Sequence, residues 1–524
     1  MIAVQLGADL AHHADIDEVF RTWLAGRDDT GRATEELQDF LGGRRGGELA
    51  TGAIWADAGW REAWLEDHLH DCPDDEERGH VRAAVAQLTA GAAEVVITGQ
   101  QPGFLGGPLY TLYKIATAIV LAELRTAAGT PTVPVFWSGD DDDDLREALQ
   151  PVAWDPARRV LLHHELRGRG GLGADRMVGT LAAAEYAHGG ARWLAEQAHR
   201  NDLAHDLAAI WDEAVREGRT WGQLQRRALL RVFKGRGLLI VRGDDSRMHA
   251  AAAPFYDRLW TAREDVRAAA RLGGSRLEAA GFAVALGESS IQRFLHRGRD
   301  GRRQPLARDH AGSLPSASEL RPGVVARSPV QDWLFRPAGV VVGPGEAAYL
   351  RQLVPVYDLL EVPRVPLLPR LVAQLGPEGY GEFRSWAMEL ADREPSGPDR
   401  TERDGSRRVA EAARAALRAL LAEEAGVGDR RLDQLGDQVI ARWARYLDGV
   451  IDREQRRQRD RSVAGQPAWL RPDGRRQERS LAAIAAAALW GDDFQDALAH
   501  AGRRHVDAGL AGDWREYLLT VPKP

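Results

Sequence analysis

The order of apolar and polar positions predicts alternating strands and helices in the first half of the chain. An apolar run, EVVIT at residues 94–98, precedes the glycine-rich loop GQQPGFLGGP. The segment LYTLYKIATAIVLAELRTAAG then shows the three- and four-residue spacing of a helix, and Gly129 marks its end. The run TVPVFWS is the next strand, so that strand, loop, helix and strand follow one another as in a βαβ unit of a parallel sheet.

A later segment repeats this order. Residues 338–370 read as strand, glycine turn, helix and strand, and GLLIV at residues 237–241 is a further strand followed by a long helix. Two βαβ units with glycine at the strand-to-helix turn predict a Rossmann-like, doubly wound parallel sheet of the α/β class. The runs FAVAL and IQRFLHR indicate an inserted antiparallel piece, and the first 90 residues indicate helices.

The character of the sequence changes near residue 383. Two helical patterns follow a polar stretch, and apolar residues repeat at three- and four-residue spacing from Leu432 to Val450, as in a coiled coil. We therefore expect a Rossmann-like core with N-terminal helices and insertions at residues 1–382. A helical coiled-coil arm is expected at 383–465, and a C-terminal segment at 466–524 is expected to pack back on the core. The apolar seam favours a homodimer through the arm.

Composition excludes several classes of protein. The chain has 524 residues, of which 44% are hydrophobic and 28% are charged, values typical of a globular protein with more than one structural unit. A formal charge of -8 argues against general nucleic-acid binding. No apolar stretch reaches the roughly 20 residues of a membrane span, and no secretion signal is visible. The single cysteine, Cys72, excludes an internal disulfide and a cysteine-based zinc site, and we expect a cytoplasmic protein.

Three loops are expected to meet at the carboxyl edge of the predicted sheet, where ligands of doubly wound folds bind. They comprise residues 99–108, 139–144 and 343–346. The first loop offers the side chains of Gln100 and Gln101, and its glycines would bring backbone amides close to an anion at a helix N-terminus. The loop matches neither the Walker A pattern nor the GxGxxG fingerprint, and a purely structural turn is an equally good interpretation.

Lys114, on the helix after the first loop, is one of only three lysines among 69 basic residues. A compact ammonium is not equivalent to a guanidinium at a phosphate site, so the retained lysine points to an anion-binding role. A surface lysine kept by chance is an equally good interpretation.

Five adjacent carboxylates at residues 140–144, called the acidic run, follow the second strand. Adjacent carboxylates repel one another unless they are solvated, cap a helix or hold a cation. Asp141 or Asp142 as the N-cap of the next helix is one interpretation, and a magnesium site that serves a nucleotide is another. No histidine lies close in the sequence, since the pair at residues 163–164 falls in a separate predicted strand.

Six segments, taken in order, resemble the signature segments of the BshC family: VVITGQQPGFLGGPLYTLYK, VPVFWSGDDDD, SPVQDWLF, VVGPGEAAYLRQL, VPLLPR and RPDGRRQER. The resemblance spans about residues 60–500. It implies a Rossmann-like core with connecting-peptide insertions, a helical arm used in dimerisation, and a cysteine ligase of bacillithiol biosynthesis. The implied reaction attaches cysteine to the amino group of glucosaminyl-malate. Because an amide bond needs an activated carboxylate, ATP with magnesium is the natural cosubstrate.

Residue types agree with the family pattern at most positions of these segments. Three positions depart from the pattern, because Tyr113, Asp143 and Gln150 stand where the family usually has histidine. Histidine is the side chain best suited to proton transfer near neutral pH, so these replacements bear directly on catalysis. The agreement covers Thr98, Gly99, Gln100, Gln101, Gly107, Pro108, Leu109, Tyr110, Thr111, Lys114, Trp137, Gln331, Asp332, Gly343, Gly345, Glu346 and Tyr349.

The leading hypothesis is a BshC-like ligase for cysteine and glucosaminyl-malate. The alternative is a divergent, non-catalytic relative that binds a nucleotide or a partner through the same loop, and in a third interpretation the loop is purely structural. The expected catalytic carboxylates, as bases or as a metal site, are Asp141, Asp143, Asp144 and Glu346. The expected substrate- or nucleotide-binding residues are Thr98, Gly99, Gln100, Gln101, Gly106, Gly107, Tyr110, Lys114, Gln331, Asp332, Gly343, Gly345 and Tyr349.

Overall fold

The structure of the protein is a computed structural model. The helical arm expected at residues 383–465 lies outside the residues that the structure describes, and so does the dimer interface assigned to that arm. Helices and strands carry numbers in chain order within the described part. The described residues are 3–13, 16–26, 32–43, 53–155, 160–163, 175–306, 314–377, 470, 472 and 475–521.

The described residues before the central sheet form a strand and five α-helices. Trp55, Trp60 and Trp64 are buried together, and Trp55 and Trp60 pack edge to face with Phe335, which fixes this region against a later helix. The helices expected in the first 90 residues are present, but the strand is not predicted by its local pattern, because it pairs with the last strand of the chain. These elements are β1 (Ala3–Asp9), α1 (Glu18–Leu24), α2 (Ala33–Leu41), α3 (Ala53–Ala56), α4 (Ala58–Asp71) and α5 (Asp75–Thr89).

A five-stranded parallel sheet forms the centre of the fold. Its strands are β2 (Glu94–Gln100), β3 (Thr132–Ser138), β6 (Leu239–Arg242), β10 (Gly339–Val342) and β11 (Leu367–Pro369), in the spatial order β11-β10-β2-β3-β6. All neighbouring strands in it are parallel. This is the order of a doubly wound Rossmann sheet, in which the sheet strand that comes first in the sequence, here β2, lies at the centre. The predicted fold class is confirmed, and the strand order reverses between β2 and β10.

Helices connect the strands within each half of the sheet. α6 (Tyr110–Ala127) joins β2 to β3, while α17 (Pro344–Gln352) and α18 (Val354–Leu359) join β10 to β11. Most residues of α6 are buried, because the helix lies between the sheet and the C-terminal helix α21 (Asp492–Leu510). The two helices approach closely at Gly502, where a Cβ would lie 3.1 Å from the side chain of Val120.

The segment between β3 and α17 carries most of the helices and two small antiparallel sheets. The sheets pair β4 (Ala153–Asp155) with β5 (Val160–Leu162), and β7 (Leu295–Arg299) with β8 (Arg302–Pro305) and β9 (Leu320–Pro322). The inserted antiparallel piece is therefore confirmed. The helices are α7 (Leu145–Ala148), α8 (Ala183–Tyr186), α9 (His188–Gln197), α10 (Asp202–Arg216), α11 (Trp221–Val232), α12 (Ser246–Ala251), α13 (Ala253–Thr261), α14 (Arg263–Ala279), α15 (Glu288–Gln292) and α16 (Val324–Phe335).

Two predictions in this segment are wrong. FAVAL is not a strand, and the N–H of Leu286 donates to the side chain of Gln352 at 2.7 Å instead of to a neighbouring strand. The long helix expected after GLLIV is three helices, α12 to α14. Pro254 lacks an N–H and occupies the first turn of α13, where no intrahelical donor is required, so a new helix begins there.

The C-terminal part of the chain returns to the core. Its helices are α19 (Gln477–Ser480), α20 (Ala483–Trp490) and α21, and α20 is almost entirely buried. A second sheet pairs β1 with β13 (Arg515–Val521) and β13 with β12 (Ala373–Pro377), so it brings both ends of the described chain together. Among the described residues, no helix has both the length and the apolar composition needed to cross a membrane.

Candidate active site

A cavity of about 440 Å³ opens at the carboxyl ends of β2 and β10, where the strand order reverses. Its walls come from the end of β2, the N-terminus of α17, and side chains of α6, α16 and α19. Ligands of doubly wound sheets bind at such a switch point. Ten of the expected site residues line it: Gly99, Gln100, Gln101, Tyr110, Lys114, Gln331, Gly343, Gly345, Glu346 and Tyr349.

Lys114 joins the two halves of the sheet across this cavity. Its Nζ donates to the carbonyl oxygen of Gly99 at 2.7 Å and to Oε1 of Gln100 at 3.2 Å. The same Nζ lies 2.7 Å from Oε2 of Glu346 on α17. An ammonium has three donors, so all of them have protein acceptors. Lys114 therefore ties the end of β2 to the first turn of α17.

The Lys114–Glu346 pair is largely withdrawn from water. Lys114 is 2% exposed, which excludes the interpretation of a surface lysine. Burial lowers the pKa of the Lys114 ammonium, and the negative charge of Glu346 opposes this effect. Glu346 also accepts the N–H of Gly343 at 2.9 Å, as in a capping box. The pair thereby holds the positive end of the α17 dipole at the cavity.

The glycine-rich loop is a tight turn whose amides are used within the protein. The N–H of Gly103 donates to Oε1 of Gln225 at 2.9 Å, and those of Gly106 and Gly107 donate to carbonyls of the loop itself. Gly106 and Gly107 have φ angles of 88° and 77°, in the left-handed region that favours glycine. Neither residue lines the cavity, and Gly106 packs against Ile484. The two glycines shape the turn, and the loop does not form the expected amide cradle.

Gln101 and Thr98 lie in the same region but have different surroundings. Gln101 is 7% exposed and lines the cavity, and neither its Oε1 nor its Nε2 has a hydrogen-bond partner among the described residues. A buried polar group without a partner costs free energy, so Gln101 is a candidate for ligand recognition. Thr98 does not line the cavity; its hydroxyl donates to the carbonyl of Val341 at 2.9 Å and so joins β2 to β10.

The carboxylates of the acidic run have separate partners. Arg226 of α11 lies 2.8 Å from Asp140. Arg327 of α16 lies 3.0 Å from Asp142 and 3.5 Å from Asp141, which is fully buried. Counter-charges from two remote helices therefore relieve the repulsion that five adjacent carboxylates would otherwise create. Asp141 lies behind the cavity wall and does not face the cavity.

The last two carboxylates of the run also do not face the cavity. Asp143 lies 3.6 Å from Arg303, and Asp144 is the N-cap of α7, since it accepts the N–H of Glu147 at 2.9 Å. Among the described residues, no group of three or more potential metal ligands occurs. The acidic run therefore does not fit a resident magnesium ion. The N-cap is Asp144 rather than Asp141 or Asp142.

Sequence reasoning misses four charged residues that line the cavity: Glu147, Arg327, Arg370 and Arg479. A signal was available for two of them, because the segments VPLLPR and RPDGRRQER end at Arg370 and Arg479. Glu147 and Arg327 lie just outside the quoted segments, and no local pattern distinguishes them from other charged helix residues.

Arg370, in the cavity wall, forms a buried, two-point ion pair with Glu478. Nη1 and Nη2 of Arg370 each lie 2.8 Å from a carboxylate oxygen of Glu478, and both side chains are 2% exposed. Burial alone would raise the pKa of Glu478, but Arg370 and Arg476 lower it to about 2. The pair fixes α19 against the end of β11, and Arg479 is the next residue of α19.

Arg479 and Glu147 are the two exposed charges of the cavity lining. Neither forms an ion pair with any residue of the described part of the chain. The other charged side chains of the lining are paired, as Lys114 is with Glu346 and Arg327 with Asp142. Within the described part of the chain, the cavity lining thus presents one unpaired cation and one unpaired anion.

Asp332 lies beside a second cavity of about 190 Å³ and not in the first. Its carboxylate accepts the hydroxyl of Tyr357 at 2.7 Å and the side-chain amide of Gln331 at 3.1 Å. Gln331 and Ser328 line both cavities, so one turn of α16 separates the two spaces. Asp332 therefore orients Gln331 and does not face the first cavity itself.

The three positions where the family pattern has histidine lie outside the cavity lining. Tyr113 is fully buried within α6, and Asp143 lies beside Arg303. Gln150 accepts a hydrogen bond from Arg475 at 2.6 Å. None of the three residues therefore contributes a polar group to the cavity lining of this chain.

Comparison with known proteins agrees with this geometry. The family model for the N-terminal Rossmann-like domain of bacillithiol biosynthesis BshC matches residues 60–318, which include β2, β3 and β6. The chain belongs to the BshC family. The matched domain supplies one wall of the cavity, while α16, β10 and α17 of this BshC-family chain follow it in the sequence.

Curated relatives extend the similarity over most of the chain. A protein of Geobacillus kaustophilus named "Putative cysteine ligase BshC" is 26% identical over 457 residues, 79% of this chain and 83% of that protein. A protein of the same name from Shouchella clausii is 27% identical, over 74% of this chain and 78% of that protein. Another, from Koribacter versatilis, is 30% identical over 56% of this chain and 57% of that protein.

Proposed function

We propose that this chain is a BshC-type ligase that joins the carboxyl group of cysteine to the amino group of glucosaminyl-malate. The observation that carries the proposal is the cavity at the switch point, in which Gln101, Glu147 and Arg479 lack a side-chain partner among the described residues. An acceptor with one amine, several hydroxyls and two carboxylates offers a complement to each of these groups. The names of the relatives agree with such a reaction.

Arg479 is the proposed anchor of a malate carboxylate. A guanidinium presents parallel N–H donors that match both oxygens of a carboxylate, and no carboxylate of the described chain occupies Arg479. The N-terminus of α17 adds partial positive charge on the same cavity. Gln101 can donate to or accept from a hydroxyl of the sugar.

ATP is the proposed source of the activated carboxyl group of cysteine. Amide formation needs a leaving group on that carboxyl, and transfer of a phosphoryl or adenylyl group from a nucleoside triphosphate would supply one. Magnesium is assigned to the nucleotide and not to the acidic run, whose carboxylates are paired with arginines or cap a helix. We propose that the reaction takes place in the cytoplasm. The homodimer through residues 383–465 stays a prediction, and light scattering would test it.

The test is an assay of amide formation with purified protein. Protein, cysteine, glucosaminyl-malate and ATP with magnesium are incubated, and the product is identified by its mass and by the appearance of a thiol attached to the sugar. We expect product, with one nucleotide consumed for each amide formed. If the folded protein yields no product with ATP or with other nucleoside triphosphates, the proposal is wrong.

The replaced histidines favour a second candidate, a non-catalytic relative that keeps the binding site. Tyr113, Asp143 and Gln150 remove three imidazoles from the family pattern. In that case glucosaminyl-malate should bind in calorimetry, and Arg479→Ala should weaken this binding, while no amide forms. Amide formation by the wild-type protein would rule the second candidate out.

A further inference from the structure

Of the residues that the structure describes, three carboxylates line the cavity: Asp142, Glu147 and Glu346. Amide formation needs a group that removes a proton from the attacking amine, because the product nitrogen carries one proton fewer than the neutral amine. A proton acceptor must have a free lone pair directed at the substrate. The surroundings of the three carboxylates differ in this respect.

Asp142 and Glu346 are occupied by basic partners. Asp142 lies 3.0 Å from Arg327 and 3.5 Å from Arg303. Burial alone would raise the pKa of Asp142, but the two arginines lower it below its ordinary value, which makes Asp142 a weak base. Glu346 holds Lys114 at 2.7 Å and accepts the N–H of Gly343 at 2.9 Å. Both carboxylates therefore act as fixed parts of the cavity wall.

Glu147 differs from both of these carboxylates. It lies on α7, whose first turn is held by the cap from Asp144 to the N–H of Glu147 itself. No ion pair links Glu147 to another residue of the described chain. The charged groups that act on it most strongly are Lys114 of α6, Arg479 of α19, and Asp142 and Asp144 from its own segment. Glu147 thus combines a fixed backbone with a free carboxylate.

We propose that Glu147 is the general base of the amide-forming step, an inference that rests on the proposed function. The lone pair of the acceptor amine attacks the carbonyl carbon of a cysteinyl group that carries a phosphate leaving group. The C–N bond forms, and the C–O bond to phosphate breaks with its electron pair remaining on the phosphate oxygen. One N–H proton passes to the carboxylate of Glu147, which then releases it to water. Atoms and charge balance with the nucleoside triphosphate as the co-reactant.

The electrostatic surroundings support this role. Although the residue as a whole is exposed, partial desolvation of the carboxyl group by the surrounding protein raises the pKa of Glu147. The negative charges of Asp142 and Asp144 raise it further, while Lys114 and Arg479 oppose the shift. A carboxylate with a raised pKa is a stronger base at neutral pH than an ordinary glutamate, whose pKa is about 4.3. The replaced histidines are therefore not required for proton removal at this position.

The test compares Glu147→Gln with wild type in the amide-forming assay across pH. We expect kcat to fall by about 100-fold or more, with KM values for cysteine and the acceptor changed less than about 3-fold. The wild-type rate should rise with pH through one ionisation above the ordinary range of glutamate, and the variant should lose this rise. Glu147→Asp should keep the rise at a reduced rate. Glu278→Gln, an exposed glutamate on α14, is the matched control and should behave as wild type.

The possible outcomes separate this inference from the proposed function. A wild-type protein that forms no amide refutes the function, and the role of Glu147 with it. An active wild type whose Glu147→Gln variant keeps its rate within 3-fold, or keeps the rise with pH, refutes the role of Glu147 alone. Glu147 is exposed, so circular dichroism and the melting temperature of both variants should match wild type.

Discussion

The ammonium of Lys114 lies 2.7 Å from the carboxylate of Glu346, and this contact bridges the two halves of the sheet at the point where the strand order reverses. α6 carries the lysine and α17 carries the glutamate, so each βαβ half supplies one partner. The contact fixes the width of the cavity between the halves. The lysine is thus a structural member of the site as well as a source of positive charge.

Lys114→Ala should destabilise the protein strongly. The change leaves Glu346 without its cation in a partly buried position, and breaking such a pair costs about 3 kcal/mol. Lys234→Ala is the matched control, because Lys234 pairs with Asp74 at 2.5 Å where both side chains are more than a third exposed. Exposed pairs contribute roughly 0 to 1 kcal/mol. Urea unfolding measures both values, and equal losses would contradict the assigned role of Lys114.

Gln101→Met should stabilise the protein without ligand and weaken its activity. The change removes a buried amide that has no partner among the described residues. Removing this unsatisfied group should raise the free energy of unfolding by about 1 kcal/mol. Gln225→Met is the matched control: it should destabilise by about 1 to 3 kcal/mol, because it leaves the N–H of Gly103 without its acceptor. The melting temperature gives the sign of each change. A loss of stability in Gln101→Met would show that this side chain is satisfied in the ligand-free protein.

Arg479→Ala should lower the affinity for glucosaminyl-malate by roughly 10- to 100-fold, since one charge-assisted, two-point hydrogen bond is worth about 1.5 to 3 kcal/mol. Stability should change little, because the side chain is exposed. Arg475→Ala removes a nearby arginine that contacts Gln150 and does not line the cavity, and it should bind as wild type. Isothermal titration calorimetry measures both. Equal losses in the two variants would indicate a general effect of charge and not a specific contact.

Stability should fall in acid partly through Glu478. Its pKa is about 2 in the folded protein and near the ordinary glutamate value of 4.5 when unfolded, so the carboxylate stabilises the fold above pH about 4.5. This contribution, on the order of 3 kcal/mol, is lost as pH falls from about 4.5 to about 2. Glu478→Gln should be destabilised at pH 7 and show a flatter dependence on pH below 4.5. Glu35→Gln, on an exposed pair, should leave the curve unchanged.

The sheet and the place of the cavity could be predicted from the sequence, because both depend on local patterns. Each βαβ half is identified by an apolar run, a glycine turn and then apolar residues at three- and four-residue spacing. Parallel strands bring their carboxyl ends to one edge of the sheet, and this gives the place of the cavity. The resemblance to BshC rested on the same loops. The family and the Rossmann-like fold are confirmed, while the roles of the individual site residues stay predictions.

The partners of the loop residues could not be predicted, because they come from distant parts of the chain. The N–H of Gly103 donates to the side chain of Gln225, which lies 122 positions away in the sequence. The sequence of the loop therefore suggests free amides that could bind an anion, whereas in the fold this amide is already used. Arg226 and Arg327 neutralise carboxylates of the acidic run in the same way. The local sequence pattern of a segment does not show which distant arginines will neutralise its carboxylates. Residues that remain unpaired, such as Glu147, are recognisable only when every neighbour is known.

A crystal structure of the protein with glucosaminyl-malate tests most directly whether this cavity is the site of amide formation. A malate carboxylate is expected within hydrogen-bond distance of the guanidinium of Arg479, with the sugar amine beside the carboxylate of Glu147. A ligand bound outside the cavity between β2 and β10, or bound there with its amine turned away from Glu147, would contradict the assignment.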